Sequence, residues 1–168
     1  MTRTIQSDNF QWSPDWEADI RATLMFIVRD GKVLLIRKKR GIGAGKVNGP
    51  GGKFEPGETA PDCIIREVKE ELEIDVHDAK QMAELHFGFQ CGTIPQIHCQ
   101  VFTATAYSGT PTETAEALPF WVDINDIPYH EMWADDILWL PEMLNGHYIK
   151  AYFSFYKDTL LAHKIDID

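Results

Sequence analysis

The segment GKFEPGETAPDCIIREVKEELEI, residues 52 to 74, opens on glycine and closes on a dense run of glutamates. Thr59 can cap a helix, Pro61 suits its first turn, and nothing breaks the chain for about four turns, until Leu72. On that helix Glu67, Glu70 and Glu71 stand at i, i+3 and i+4 and share one stripe. Ile64, Ile65, Val68 and Leu72 cover a neighbouring aliphatic arc. Like charges at this spacing cost a few tenths of a kcal/mol each on a solvated helix and more when partly buried, so a positive group is expected to compensate them. A hard dication with oxygen ligands suits the pattern, because Mg²⁺ takes a few carboxylates and completes its octahedron with water and substrate phosphate. A bare EVKEE string would read as a solvated acidic face. The glycine loop Gly51-Gly52-Lys53 and the turn Pro56-Gly57-Glu58, which lead straight into the helix, argue for a site, since glycines let backbone groups approach a ligand closely.

With this spacing the segment resembles the Nudix box, G-x5-E-x7-R-E-U-x-E-E-x-G-U with U aliphatic, from Gly52 to Ile74. Glu73 stands where the box has its last glycine. The resemblance implies a hydrolase that cleaves nucleoside diphosphates linked to another moiety and needs Mg²⁺, with Mn²⁺ as a substitute. It makes Glu67, Glu70 and Glu71 metal ligands, with the Gly52 carbonyl a further one. Arg66 and Glu58 become a supporting pair that orients them. Either Glu71 or Glu70 could act as general base, since ligation and base chemistry ask for the same residue type.

Similarity extends over roughly Ala22 to Lys164. KKRGIGAGKVNGPGGK (38 to 53) and IPYHEMWADDILWLP (127 to 141) are similar to the Nudix branch that hydrolyses oxidised purine deoxynucleoside triphosphates, the mammalian-type MutT homologues. That resemblance gives Asn48, Asp135, Asp136 and Trp133 to the purine, Phe87 to enclosing the base, and Glu116 to the metal. Three aromatic positions of the branch carry Ile42, Val47 and Pro50 instead. The residues also allow quieter readings. Asp135 or Asp136 can cap the helix that ILWLPEML begins, Trp133 and Phe87 can be core residues, and Asn48 can be a turn residue. Two adjacent carboxylates in an apolar pocket need not both ionise, and a protonated one can donate as well as accept.

The chain has 168 residues, 44% of them hydrophobic, and no linker, repeat or low-complexity stretch divides it. One compact domain over residues 21 to 168 is expected, preceded by an N-terminal extension over 1 to 20. A net charge of -10 disfavours polymeric nucleic acid and is awkward for a triphosphate substrate. Arg37, Lys38, Lys39, Arg40, Lys46 and Lys53, six of the 16 basic residues, are expected to compensate locally; Lys38 and Lys53 are assigned to the substrate. No apolar run nears the ~20 residues of a membrane span, and no charged-then-apolar signal opens the chain, so the cytoplasm is the default compartment. Cys63, Cys91 and Cys99, odd in number and without C-x-x-C spacing, are expected as reduced thiols. A monomer binding a small nucleotide is expected, with a dimer as the alternative.

The strand-like runs ATLMFIV and KVLLI flank Asp30-Gly31, a strong hairpin signal. Further strand-like stretches fill residues 80 to 107, FWVDI, and the closing pair 148 to 156 and 159 to 165. Pro141 interrupts the second helix and is expected to kink it. This pattern is α+β with a curved mixed sheet flanked by helices. The resemblance narrows it to the Nudix α/β/α sandwich. Two alternatives remain at this stage: a Nudix enzyme for ADP-ribose, a dinucleoside polyphosphate or an unmodified dNTP, and a silent nucleotide-binding domain.

Overall fold

The computed structural model describes residues 1–168. In chain order the elements are β1 (Arg3–Gln6), β2 (Ile20–Arg29), β3 (Lys32–Lys38), β4 (Val47–Asn48), β5 (Gly51–Lys53), α1 (Ala60–Leu72) and β6 (Asp75–Val76). There follow β7 (Lys80–Phe89), β8 (Ile97–Ala104), β9 (Tyr107–Ser108), β10 (Ala117–Asp123), α2 (Asp136–Leu144), β11 (Ile149–Tyr156) and β12 (Thr159–Ile167). Ten strands form one mixed sheet in the order β1-β12-β11-β7-β8-β2-β3-β10, with β4 on β3 and β5 on β2. The β2–β8 and β7–β11 pairs are parallel; the rest are antiparallel. The sheet is not strongly curled, which tempers the expected curvature.

Strict alternation along the central strands builds two cores. Phe26, Val33 and Leu35 pack with Trp139, Leu140 and Met143 of α2 on one face. Their chain neighbours Met25, Ile27, Leu34 and Ile36 pack with Ile64, Val68 and Leu72 of α1 on the other. Burial on both faces is why β2 and β3 read as continuous apolar runs. The result is the sandwich expected from the sequence. Asp30 and Gly31 both take positive φ, 53° and 74°, the geometry a two-residue hairpin needs. Ile65, placed in the apolar arc from sequence, lies at its margin and is 38% exposed.

The α1 termini follow the sequence closely. Thr59 Oγ1 accepts from the Asp62 N–H at 3.3 Å, Pro61 sits in the first turn, and Glu73 closes the helix through its N–H to the Lys69 carbonyl. Glu73 does so in the left-handed region, φ 61° and ψ 31°, at the position where the box carries glycine. In α2 the helix continues through Pro141 to Leu144, so the proline does not end it. Residues 1 to 20 are tied to the body. β1 pairs with β12 from Arg3↔Ile167 to Gln6↔Lys164, and the Trp16 indole donates to Gln96 Oε1 at 2.8 Å.

The left-handed cap carries a cost. A side chain there is disfavoured by about 1–2 kcal/mol, partly offset by the entropy a glycine loses on folding. Glu73→Gly is expected to stabilise the protein by about 0.5–1 kcal/mol, seen as a higher urea midpoint at unchanged slope. A lower midpoint would mean that the carboxylate contributes something at this turn that outweighs the backbone strain.

Candidate active site

A cavity of about 590 Å³ reaches from the acidic stripe of α1 to the start of α2. That is room for a small-molecule ligand. Its walls include Glu67, Glu70 and Glu71 from α1, Gly52 and Lys53 from β5, and Lys38, Arg40 and Glu116 beside them. Asn48, Phe87, Trp133, Asp135 and Asp136 line it as well. Residues as far apart in the chain as Lys38 and Asp136 therefore share one space, while Glu58 and Arg66 stand behind the wall.

Arg66 organises the acidic part. Its Nε and Nη2 donate to the two oxygens of Glu58 at 2.7 and 2.8 Å, Nη1 to Glu67 at 2.9 Å and Glu70 at 3.2 Å, and Nη2 to the Lys53 carbonyl at 3.0 Å. The bidentate fork holds the Glu58 carboxyl down at about 2. Glu67 is raised, chiefly by burial, although Arg66 opposes the shift. Burial pushes Glu71 up to about 8, with the Glu67 charge adding to it and Lys38 opposing. Glu116 is lowered by its hydrogen bond from Arg40. A Cβ on Gly52 would lie 2.4 Å from the Glu67 carboxylate, so only glycine lets that side chain settle against the loop. The Gly52 carbonyl accepts from Thr23 Oγ1 at 3.3 Å and from the Cys63 thiol at 3.8 Å. The donors gathered here are all oxygens, and two of the carboxylates are disfavoured as anions without further positive charge. Such a set fits a hard dication.

The opposite part is apolar with a polar floor. Asp135 and Asp136 are 1% and 3% exposed. Asp135 Oδ2 accepts from the Trp139 indole N–H at 2.8 Å, and neither aspartate makes a side-chain cap to α2. The capping reading is thus corrected: one turn of helix brings Trp139 under Asp135, and the indole takes the carboxylate that the helix terminus would have used. Asp135 Oδ1 and Asp136 Oδ2 are buried without a protein partner. Desolvation raises Asp135 to about 6, and desolvation plus the charge of Asp135 raises Asp136 well above the usual range. Asn48 belongs to β4, its Oδ1 accepts from the Gly49 N–H at 2.8 Å, and its NH₂ has no protein acceptor. Phe87 stacks on Phe153 at 5.6 Å, and Trp133 meets Phe155 edge-on at 5.6 Å; both also line the cavity. They are core and wall at once.

The basic run divides where sequence reading kept it together. Only Lys38, Arg40 and Lys53 line the cavity. Arg37 binds Glu131 at 2.7 Å, Lys39 binds Glu113, and Lys46 lies over the Trp133 ring at 5.1 Å. Lys38 donates to the Ile42 carbonyl at 2.7 Å, and burial lowers its pKa. Of the three substituted aromatic positions only Ile42 reaches the cavity, whereas Val47 is fully buried in the core beneath α2. Sequence reasoning missed Thr23, Ile97 and Cys99 as wall residues. Thr23 carried a signal, a polar residue inside an apolar strand. Cys99 gave none, since its position depends on the β2–β8 pairing that sets it opposite Ala22. All three cysteines are free thiols.

The NUDIX domain model matches residues 19–143, and the chain belongs to this family of hydrolases. It is an enzyme of the MutT-like kind acting on a nucleotide substrate. The chain is 43% identical over 145 residues to an oxidized purine nucleoside triphosphate hydrolase of Danio rerio, covering 86% of this chain and 92% of that protein. The Mus musculus protein of the same description is 36% identical over 144 residues, covering 85% and 92%. Among solved structures, a mutator MutT protein from Bacillus halodurans superposes with a TM-score of 0.76 at 26% identity, covering 87% of this chain and 97% of its own. No helix is long and apolar enough to cross a membrane.

The buried aspartates give the ligand-free protein a specific pH signature. Their folded pKa values lie above the unfolded 3.8, so their protonated forms favour folding at low pH. That contribution is full below the unfolded value and is lost as pH rises through about 6 for Asp135 and beyond for Asp136. Asp136→Asn removes one titrating group, so its urea-derived stability should gain on the parent's as pH rises from about 4 to about 8. Parallel profiles for parent and variant would contradict the raised pKa values.

Proposed function

We propose that the protein is a Mg²⁺-dependent nucleoside triphosphate diphosphatase that removes oxidised purine deoxynucleotides, such as 8-oxo-dGTP and 2-oxo-dATP, from the nucleotide pool. The observation that carries this reading is one cavity that joins a four-carboxylate cluster to a buried aspartate pair with two unpartnered oxygens. The likeness to the two oxidized purine nucleoside triphosphate hydrolases supports it.

In this reading Asn48, Asp135 and Asp136 read the purine edge. The free Asn48 NH₂ donates, and the aspartate pair, holding one proton between two carboxyls, can both donate and accept. That proton can shift to suit more than one tautomeric pattern, which gives tolerance among oxidised purines. Phe87 and Trp133 enclose the base, and Lys38 and Lys53 face the phosphates. Glu67, Glu70, Glu71 and Glu116, with the Gly52 carbonyl, would hold Mg²⁺ or Mn²⁺. The bound metal would polarise phosphate oxygens and offset charge on the leaving pyrophosphate. Water attacks an internal phosphorus, its proton passes to Glu71 or Glu70, and the bridging P–O bond breaks to give the monophosphate and pyrophosphate. Arg66 and Glu58 keep the carboxylates aimed at the cavity, and residues 21 to 168 form the catalytic domain.

A second reading, another nucleotide on the same chemistry, is favoured by Ile42, an aliphatic wall residue where the oxidised-purine branch has an aromatic. Pyrophosphate release from equal low concentrations of 8-oxo-dGTP, 2-oxo-dATP, dGTP and ADP-ribose, the last followed by its own nucleotide products, separates the two. Strong preference for an oxidised purine is expected. Preference for ADP-ribose, or no discrimination, would discard the substrate assignment and leave the hydrolase chemistry intact. Asp135→Asn is expected to change base selectivity and its pH dependence, and unchanged selectivity would dissolve the proton-sharing idea. Glu71→Gln is expected to lower turnover by about 10²–10⁴-fold with the fold preserved. Retained turnover would remove Glu71 from the mechanism.

A further inference from the structure

On the sheet face away from the cavity, antiparallel pairing of β7 with β8 sets His86 directly opposite His98, and Glu84 lies two residues from His86 on the same side. Their ligand atoms all fall within 4.8 Å of one another. The Nε2 atoms of His86 and His98 each lie 3.2 Å from the same Glu84 oxygen. We propose that Glu84, His86 and His98 form a binding site for a first-row transition dication of the Zn²⁺ kind, separate from the carboxylate cluster of the cavity.

The tautomer of His86 carries the argument. Its Nδ1 is 3.0 Å from the Ala151 carbonyl, which can only accept, so Nδ1 holds the proton and Nε2 presents a lone pair. That lone pair faces a carboxylate oxygen at 3.2 Å, and the two make no hydrogen bond. A ring lone pair and a carboxylate oxygen held face to face are reconciled by a shared cation. An N–H bonded to a backbone carbonyl is also the arrangement that orients a metal-ligating imidazole. The ring cannot turn away easily: Tyr152 stacks on it at 4.4 Å and 10°, and Trp16 meets it edge-on at 5.7 Å.

Ligand chemistry selects the ion. Two imidazoles and one carboxylate suit Zn²⁺, Co²⁺, Ni²⁺ or Cu²⁺, whereas Mg²⁺ prefers oxygen alone. Tetrahedral Zn²⁺ with bonds of about 2.0–2.1 Å places its ligand atoms about 3.3–3.4 Å apart, close to the two separations measured at Glu84. His98 would give up the proton it now directs at Glu84, and the two rings would close somewhat. The side chains of His98 and Glu84 are 22% and 29% exposed, which leaves an entry path and room for water as a further ligand. Lys150, opposite Glu84 on β11, is exposed to solvent, where its opposing charge is screened.

The test is Co²⁺ titration of the full chain in saturating Mg²⁺, which keeps the carboxylate cluster occupied, read by the visible absorption of coordinated Co²⁺, with Zn²⁺ as competitor. One equivalent per chain is expected, displaced by Zn²⁺ and weakened at least about tenfold by His98→Gln or Glu84→Gln. No equivalent beyond the Mg²⁺ sites, or one that both variants retain, would overturn the proposal. Anomalous scattering from crystals of the parent chain grown with Zn²⁺ gives a readout free of any variant. An ion on Glu84, His86 and His98 supports the site, and ions confined to the cavity carboxylates reject it.

Discussion

One guanidinium holds the catalytic side of this molecule together. Arg66 is 22% exposed and directs its donors to Glu58, Glu67, Glu70 and the Lys53 carbonyl, thereby joining the loop, β5 and the acidic stripe of α1. Without a fixed cation at this point, three glutamates on one helix face would repel one another and turn outward to water. With it, Glu67 is drawn back against Gly52 while Glu71, one helical turn on, goes into the cavity. Glu58 has the complementary task. Its fork fixes the plane of the guanidinium, which a lysine in place of Arg66 could not offer.

The same logic explains where the sequence was informative. The helix of residues 60 to 72, its Thr59 cap and the Asp30-Gly31 hairpin depend on local rules, namely side-chain periodicity, an orphan N–H, and positive φ at a two-residue turn. Each could be read from a few neighbouring residues. The left-handed Glu73 was visible as a departure in the box and proved to keep the glycine's backbone geometry. Arg66 and Glu58 could be paired from the resemblance, because the seven intervening positions of loop and helix bring them together in a set way.

What remained illegible was decided by tertiary partners. Asp135 read as a helix cap because the free N–H groups of a helix N-terminus are the nearest donors to such a side chain. In the folded chain the nearest donor is the indole of Trp139, and the carboxylate turns inward. The basic run looked like a single positive patch. Arg37 to Arg40 alternate along β3 and the following loop, and Lys53 sits apart on β5, so half of the six meet Glu131, Glu113 or Trp133 and only three line the cavity. The His86–His98 pair had no local signature, since only the register of β7 on β8 sets those residues opposite each other.

That register also links the two faces of the sheet. On β7, Phe87 lines the cavity while its neighbour His86 points the other way. On β8, Ile97 and Cys99 line the cavity and His98 lies between them on the outer face. A sheet alternates its side chains with period two, so the wall of the cavity and the histidine cluster are the two sides of one pair of strands. The N-terminal segment packs against the outer side through Trp12 and Trp16, and only its last residue, Ile20 at the start of β2, lines the cavity. The rest of the segment reaches the cavity only through the sheet. Whatever holds Trp16, Tyr152 and the two histidines in place also limits how far Phe87 and Ile97 can shift at the cavity wall, because adjacent residues share the same backbone.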